Sequence, residues 1–230
     1  MHVRNKTGTG ASLVALFLAG SISLAGCTTT DSAEEAAPTH ATAASTSADE
    51  LRALVRDISF DYNDVQSNDE LADLSDAVFA GSVVGVADGP QFGKAGDGLT
   101  EIRSVVVEVR ASEVVKGSVD VGESAYVIIY APVEVDAARW SAALPSGTNV
   151  IVYATESAAA PRGSTGLDTI NSTEGRPKGA ALYVPAVQGF AVELSDGSLY
   201  WPLTDVVRED DLAEAMPGGA ALGNTLPGEE

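Results

Sequence analysis

Cysteine is almost absent: the 230-residue chain has one, Cys27. No intramolecular disulfide can form, so the core must hold without a covalent staple. Histidine is nearly as scarce, and its two copies, His2 and His40, both lie near the N-terminus. Everything after residue 48 therefore lacks the side chains on which Ser-His-Asp and Cys-His catalysis depend, and those of histidine or thiolate zinc sites. Carboxylate, hydroxyl, Lys and Arg chemistry is what remains. Cations are the third shortage: 13 Lys and Arg face 33 Asp and Glu, a formal net charge of −20. Such a chain is repelled by nucleic-acid phosphates and by anionic headgroups, which argues against nucleic acid as a partner and against purely electrostatic membrane attachment.

One stretch is uninterrupted by charge. Residues 11–26 are apolar apart from Ser12, Ser21 and Ser23, and they follow Arg4 and Lys6. The run is shorter than the ~20 residues of a spanning helix, and it ends in small side chains of the kind a signal peptidase accepts. Residues 1–26 are therefore expected to be a signal peptide. Leu24, Ala25, Gly26 and Cys27 then form an aliphatic residue, two small residues and a cysteine. This run resembles the lipobox of bacterial lipoprotein precursors. The resemblance implies that Cys27 receives a thioether-linked diacylglycerol, becomes the mature N-terminus and anchors the protein to the extracytoplasmic face of the cell membrane. Two acyl chains suffice for stable attachment, where a single one is marginal. Loss of residues 1–26 leaves 11 cations against 33 acids, a balance of −22. The Ala, Gly, Val and Asp richness is similar to that of actinobacterial proteins.

Residues 27–47, the lipidated cysteine followed by Thr, Ser, Ala and acids with one proline, cannot bury apolar surface and are expected to be a disordered tether of about 25 Å average span. Ser47 then caps a predicted amphipathic helix with Asp49 and Glu50 in its first turn and Leu51, Leu54, Val55 and Ile58 inward. A second short helix is expected at 68–76, with Leu71 and Leu74 inward. From residue 77 the period changes. Runs at 77–87, 100–115, 124–133, 148–156, 181–188, 190–194 and 199–203 are β-branched or aromatic and bounded by Gly, Asp and Ser. In the second, Val105, Val107 and Val109 alternate with Ser104, Val106, Glu108 and Arg110, predicting one buried and one mostly wet face. A short helix of Ala137, Trp140 and Leu144 spacing, begun by Asp136 and stopped by Pro145, interrupts the strands. Asp196-Gly197 predicts a two-residue type I′ hairpin with Val192, Leu194, Leu199 and Trp201 as its core set. A last helix is expected within 204–216, and residues 217–230 read as a disordered tail. The expected fold is mainly β: one small barrel or sandwich, OB-like, over residues 48–216, with a few short helices.

"SDAVFAGSVVGV", "VVVEVRASEVVKGSVDVGESAYVI" and "LPSGTNVIVYATE", within residues 75–155, resemble the barrel strands of secreted modules of the tissue-inhibitor-of-metalloprotease and netrin type. The resemblance implies the OB-like barrel shape. It does not extend to activity, because those inhibitors use a free N-terminal cysteine whereas Cys27 would be acylated and lies ahead of a long tether.

No catalytic motif stands out. "RGSTG" at 162–166 is not G-x-S-x-G and has no histidine to serve it, and Ser112 to Lys116 is one residue too long for S-x-x-K. Asp88 and Asp97 sit in a glycine-rich stretch without EF-hand spacing, so turn chemistry is expected there and no metal or other cofactor is predicted. Trp140 and Trp201 fall on apolar faces and read as core. The long connection 157–181 gathers Arg162, Arg176 and Lys178 and is the candidate anion-binding loop. The function expected is a lipid-anchored cell-surface binding or envelope-accessory module, not an enzyme, with an envelope protein or a small ligand as partner. Two alternatives stay open: a carboxylate-based enzyme of wall glycan, and an accessory lipoprotein of a transporter or secretion system.

Overall fold

Helix α1 (Ala48–Val55) begins where its cap is: the Ser47 hydroxyl accepts from the Glu50 N–H at 3.4 Å and donates to the Glu50 carboxylate at 2.9 Å. The computed structural model describes residues 45–58, 60, 62–94, 100–157, 168–171 and 175–223, all within one unit, Thr42–Glu230. Signal segment, lipobox and most of the tether lie outside the described residues. Ser67 caps α2 (Asn68–Leu74) in the same way. Its buried face is shared by Asn68 and Leu71; each step of three residues falls about 60° short of a full turn, so Leu74 stands about 120° from Asn68, and Leu71 is 3% exposed and Leu74 70%. The inward placement expected of Leu74 is thus corrected. No helix among the described residues is long and apolar enough to cross a membrane.

Strand β1 (Ala77–Gly93) pairs antiparallel with β2 (Thr100–Lys116), and β2 with β3 (Ser124–Ala131). After α3 (Ala137–Ala143), capped by Asp136 as expected, β4 (Asn149–Ser157) returns to pair with the first half of β1. A short β5 (Asp168–Asn171) takes up the far end of β1 at Gln91–Gly93. β6 (Leu182–Glu193) pairs antiparallel with β4 and parallel with β3 through Tyr126↔Leu182 and Val127↔Tyr183. That parallel contact closes the ring β3-β2-β1-β4-β6, a five-stranded OB-like barrel. β7 (Leu199–Trp201) and β8 (Val206–Arg208) extend the sheet beyond the ring from β6.

Three local expectations shift. β1 does not stop at residue 87: Gly89 and Pro90 are absorbed by a register shift between Asp88 and Gln91, so turn-type residues bend the strand without ending it. The β6–β7 turn has three residues. Leu194 N–H donates to Ser198 O at 2.8 Å, Gly197 N–H to Leu194 O at 3.0 Å, and Gly197 takes the positive φ of 88° that this loop needs in place of a type I′ turn. Val192 is consequently opposite Tyr200, one residue from the predicted register. A one-residue slip reverses faces, so Val192 and Leu194 enter the barrel core while Leu199 and Trp201 enter the other one. The last helix is replaced by a turn, β8 and a 3-10 turn at Leu212–Ala215, because β-branched Val206 and Val207 extend alongside Trp201 and Tyr200.

Two large apolar cores and a small third cluster result. The barrel interior holds Val105, Val107 and Val109 with Phe79 and Phe190, and Leu51 of α1 and Trp140 of α3 belong to the same cluster. The second core covers the outer side of β4 and β7, where Tyr153 and Trp201 meet Leu71 and the C-terminal segment. Residues 217–223, read as tail from their glycine content, lie in this segment: Ala221 and Leu222 are buried, and Asn68 Nδ2 donates to the carbonyls of Glu214, Gly219 and Ala221. The wet face expected on β2 is partly dry. Val106 and Ile128 pack with Leu182, and Gly175 lies so close that a Cβ on it would meet Asp88 O at 2.8 Å.

Candidate functional site

Two concavities adjoin α1. The first, about 490 Å³, is walled by hydroxyls of Ser45, Ser47, Ser195 and Ser198 with Asp49 and Asp196. The other, about 340 Å³, mixes apolar and polar walls: Ile58, Phe60, Tyr62 and Pro202 line it with Arg56 and Asp205. Arg52 borders both and separates a hydroxyl-lined from an aromatic-lined arm of one groove. Both volumes are those of small-molecule sites.

Local sequence places each wall. The chain approaching α1 is strapped to the barrel by Thr46, whose N–H donates to Ser195 Oγ at 2.7 Å and whose carbonyl accepts from Ser195 N–H at 3.0 Å. Arg52 and Arg56 stand one helical turn apart on the polar side of α1, because Leu51, Leu54 and Val55 take the buried side. Opposite, Pro202 breaks β7, and the chain turns through Asp205, whose φ of 57° makes it the non-glycine residue with positive φ among those described. Aspartate tolerates that conformation better than most side chains.

The turn delivers the Asp205 carboxylate between two donors. Arg52 Nε donates to Asp205 Oδ1 at 2.6 Å, and the Tyr200 hydroxyl donates to the same oxygen at 3.0 Å. Arg52 Nη1 also reaches Asp49 Oδ1 at 2.7 Å, and its guanidinium lies 5.8 Å from the centre of the Tyr200 ring. The Asp205 hydrogen bond holds the Arg52 guanidinium above its ordinary pKa against an opposing effect of burial. Burial, followed by the Asp205 charge, pushes the Tyr200 phenol well up, so it stays a donor at any physiological pH. Burial also raises the Tyr62 phenol, with the neighbouring Asp64 carboxylate adding to the effect through charge and a hydrogen bond. Arg52 is thus a charge-balanced ridge, whereas Arg56 is exposed and makes no hydrogen bond or ion pair among the described residues.

Of the residues expected from sequence to act, Leu24, Ala25, Gly26, Cys27 and Arg162 lie outside the described residues. Arg176 is half-buried and its Nη1 donates to Ala180 O, closing its own turn, while Lys178 beside it is exposed. Trp140 and Trp201 are core, as their apolar faces predicted. No group of three or more His, Cys, Asp or Glu able to hold a metal ion occurs among the described residues. The groove itself was missed. Its signals were the Arg52/Arg56 spacing on a helix with few other cations, Tyr62 within the polar run "DYND", and the proline-led turn "PLTD". No protein-family model, curated protein or solved structure matches the chain.

Proposed function

We propose that this protein is a binding module held on the extracytoplasmic face of a bacterial cell membrane by a diacylglyceryl group on Cys27, and that the groove beside α1 is its ligand site. Support for the anchor comes from the order of features in the sequence: cations, an apolar run, Leu24-Ala25-Gly26-Cys27, then a polar tether. The single observation that carries the ligand site is the Arg52–Asp205–Tyr200 junction, which fixes a helix against a turn and keeps two concavities open on either side of it. Pre-organised concave walls with a few placed polar groups serve binding. A body without histidine or cysteine favours binding over acyl-transfer chemistry. The partner is a small ligand or an envelope component, not nucleic acid.

Mass spectrometry of the protein recovered from membranes tests the anchor. The expected N-terminal peptide begins at Cys27 and carries a diacylglyceryl mass. A peptide retaining a free Cys27 thiol, or one beginning elsewhere, would contradict it.

A further inference from the structure

We infer that the aromatic-lined arm of the groove takes a ring-bearing monoanion, its ring against Phe60, Tyr62 and Pro202 and its charge on Arg56; this rests on the groove being the ligand site. Phe60 and Tyr62 are alternate residues of the segment leaving α1, and both line the same depression as Pro202 across from them. Tyr62 stays 39% exposed in a chain whose other large aromatic side chains are mostly buried, so part of its ring faces the depression and solvent.

The charge on the wall decides the ligand's sign. Among the described residues every Arg and Lys other than Arg56 and Lys178 makes a hydrogen bond or ion pair, as in the Lys94–Glu101 and Arg208–Asp210 pairs. Acids outnumber cations 33 to 13, so a cation left without a partner beside an aromatic-lined depression is a site where an acid would readily have been placed. Arg52 is already paired with both Asp205 and Asp49, so of the two cations lining the arm Arg56 is the one left to meet a ligand, inside a chain of net −20. Repulsion from the remaining acids is largely screened beyond about 8 Å at physiological salt, whereas a contact with Arg56 is not. A cationic ligand would meet Arg56 directly, and a neutral one would leave its five donors to water. A carboxylate or phosphate answers it with a charge-assisted hydrogen bond.

The test titrates the full chain carrying Cys27→Ala with 2-naphthoate and, separately, with the neutral 2-naphthalenemethanol, following probe fluorescence. Naphthoate is expected to bind more tightly, and Arg56→Gln to weaken naphthoate about tenfold while leaving the alcohol unchanged. Tyr62→Ala is expected to weaken both probes. If Arg56→Gln left naphthoate unchanged while Tyr62→Ala still weakened both, the anion assignment would fall and the ligand site would stand. If neither probe bound, or Tyr62→Ala changed neither, both would fall. Circular dichroism of each variant confirms that the fold is retained, and Arg56, being exposed, provides the arm that does not depend on core packing.

Discussion

Replacing Asp205 separates what holds the groove open from what merely decorates it. In Asp205→Ala the buried Tyr200 hydroxyl loses its acceptor, which costs about 1–3 kcal/mol for an unsatisfied donor. Arg52 loses one of two carboxylates; with side chains 40% and 56% exposed, that pair contributes only about 0.2–1 kcal/mol. Alanine at a φ of 57° also lacks the local hydrogen bonding by which aspartate tolerates the left-handed region, adding about 1 kcal/mol. Asp205→Ala should therefore lower stability by roughly 2–5 kcal/mol, read from urea unfolding as a reduced midpoint at unchanged m-value. Asp205→Asn keeps an acceptor oxygen and tolerance of positive φ, losing only the charge, so its cost should stay below about 1 kcal/mol. An Asp205→Ala variant within 0.5 kcal/mol of the parent, on the order of an ordinary surface change, would refute the junction as the element that holds α1 to the β7–β8 turn.

Two further outcomes follow from burial. Gly175→Ala places a Cβ 2.8 Å from Asp88 O and 3.0 Å from the Val106 Cβ at a φ of 64°, and should cost about 1–3 kcal/mol through overpacking and strain. Faster hydrogen exchange at Val106 and Ile128 would accompany it, and unchanged exchange there would show that the segment does not cover them. Burial raises the folded-state pKa of Tyr153 and Tyr200 above the unfolded value of about 10. Above that pH the unfolded chain releases phenolic protons that the native state retains, so this contribution is intact below about pH 10 and is lost as pH rises towards the folded-state values. Phenolate absorbance of these two residues should then appear together with loss of near-ultraviolet dichroism. Ionisation with the dichroism intact would contradict their burial.

Period and propensity made the mainly β fold legible. The valines of β2, the caps at Ser47 and Asp136, and the apolar faces of Trp140 and Trp201 each carry a local signal that tertiary structure did not override. Where local signals point to alternatives, they misled. Asp196-Gly197 is compatible with a two- or a three-residue hairpin, and the choice between them moved Leu199 and Trp201 to a different core. Gly89-Pro90 reads as a turn until β2 and β5 hold β1 on either side of it. The groove was illegible because its walls come from residues about 150 apart: Arg52 meets Asp205 across 153 positions. Only closure of the barrel and extension of its sheet by β7 and β8 bring them together. The loop favoured from length and cations placed Arg176 in its own turn, since a half-buried guanidinium near a free carbonyl satisfies that carbonyl first.

The ligand site has a definite rival, the outer β2–β3 face that OB-like barrels offer to ligands, covered here by Gly175 and Leu182. Amide chemical-shift mapping of the full Cys27→Ala chain during titration with 2-naphthoate distinguishes the two. A ligand in the groove is predicted to give shifts centred on Arg52, Arg56, Tyr62, Thr204 and Asp205, with Val106 and Ile128 unmoved. Shifts centred on Val106, Ile128 and Leu182 instead would contradict it.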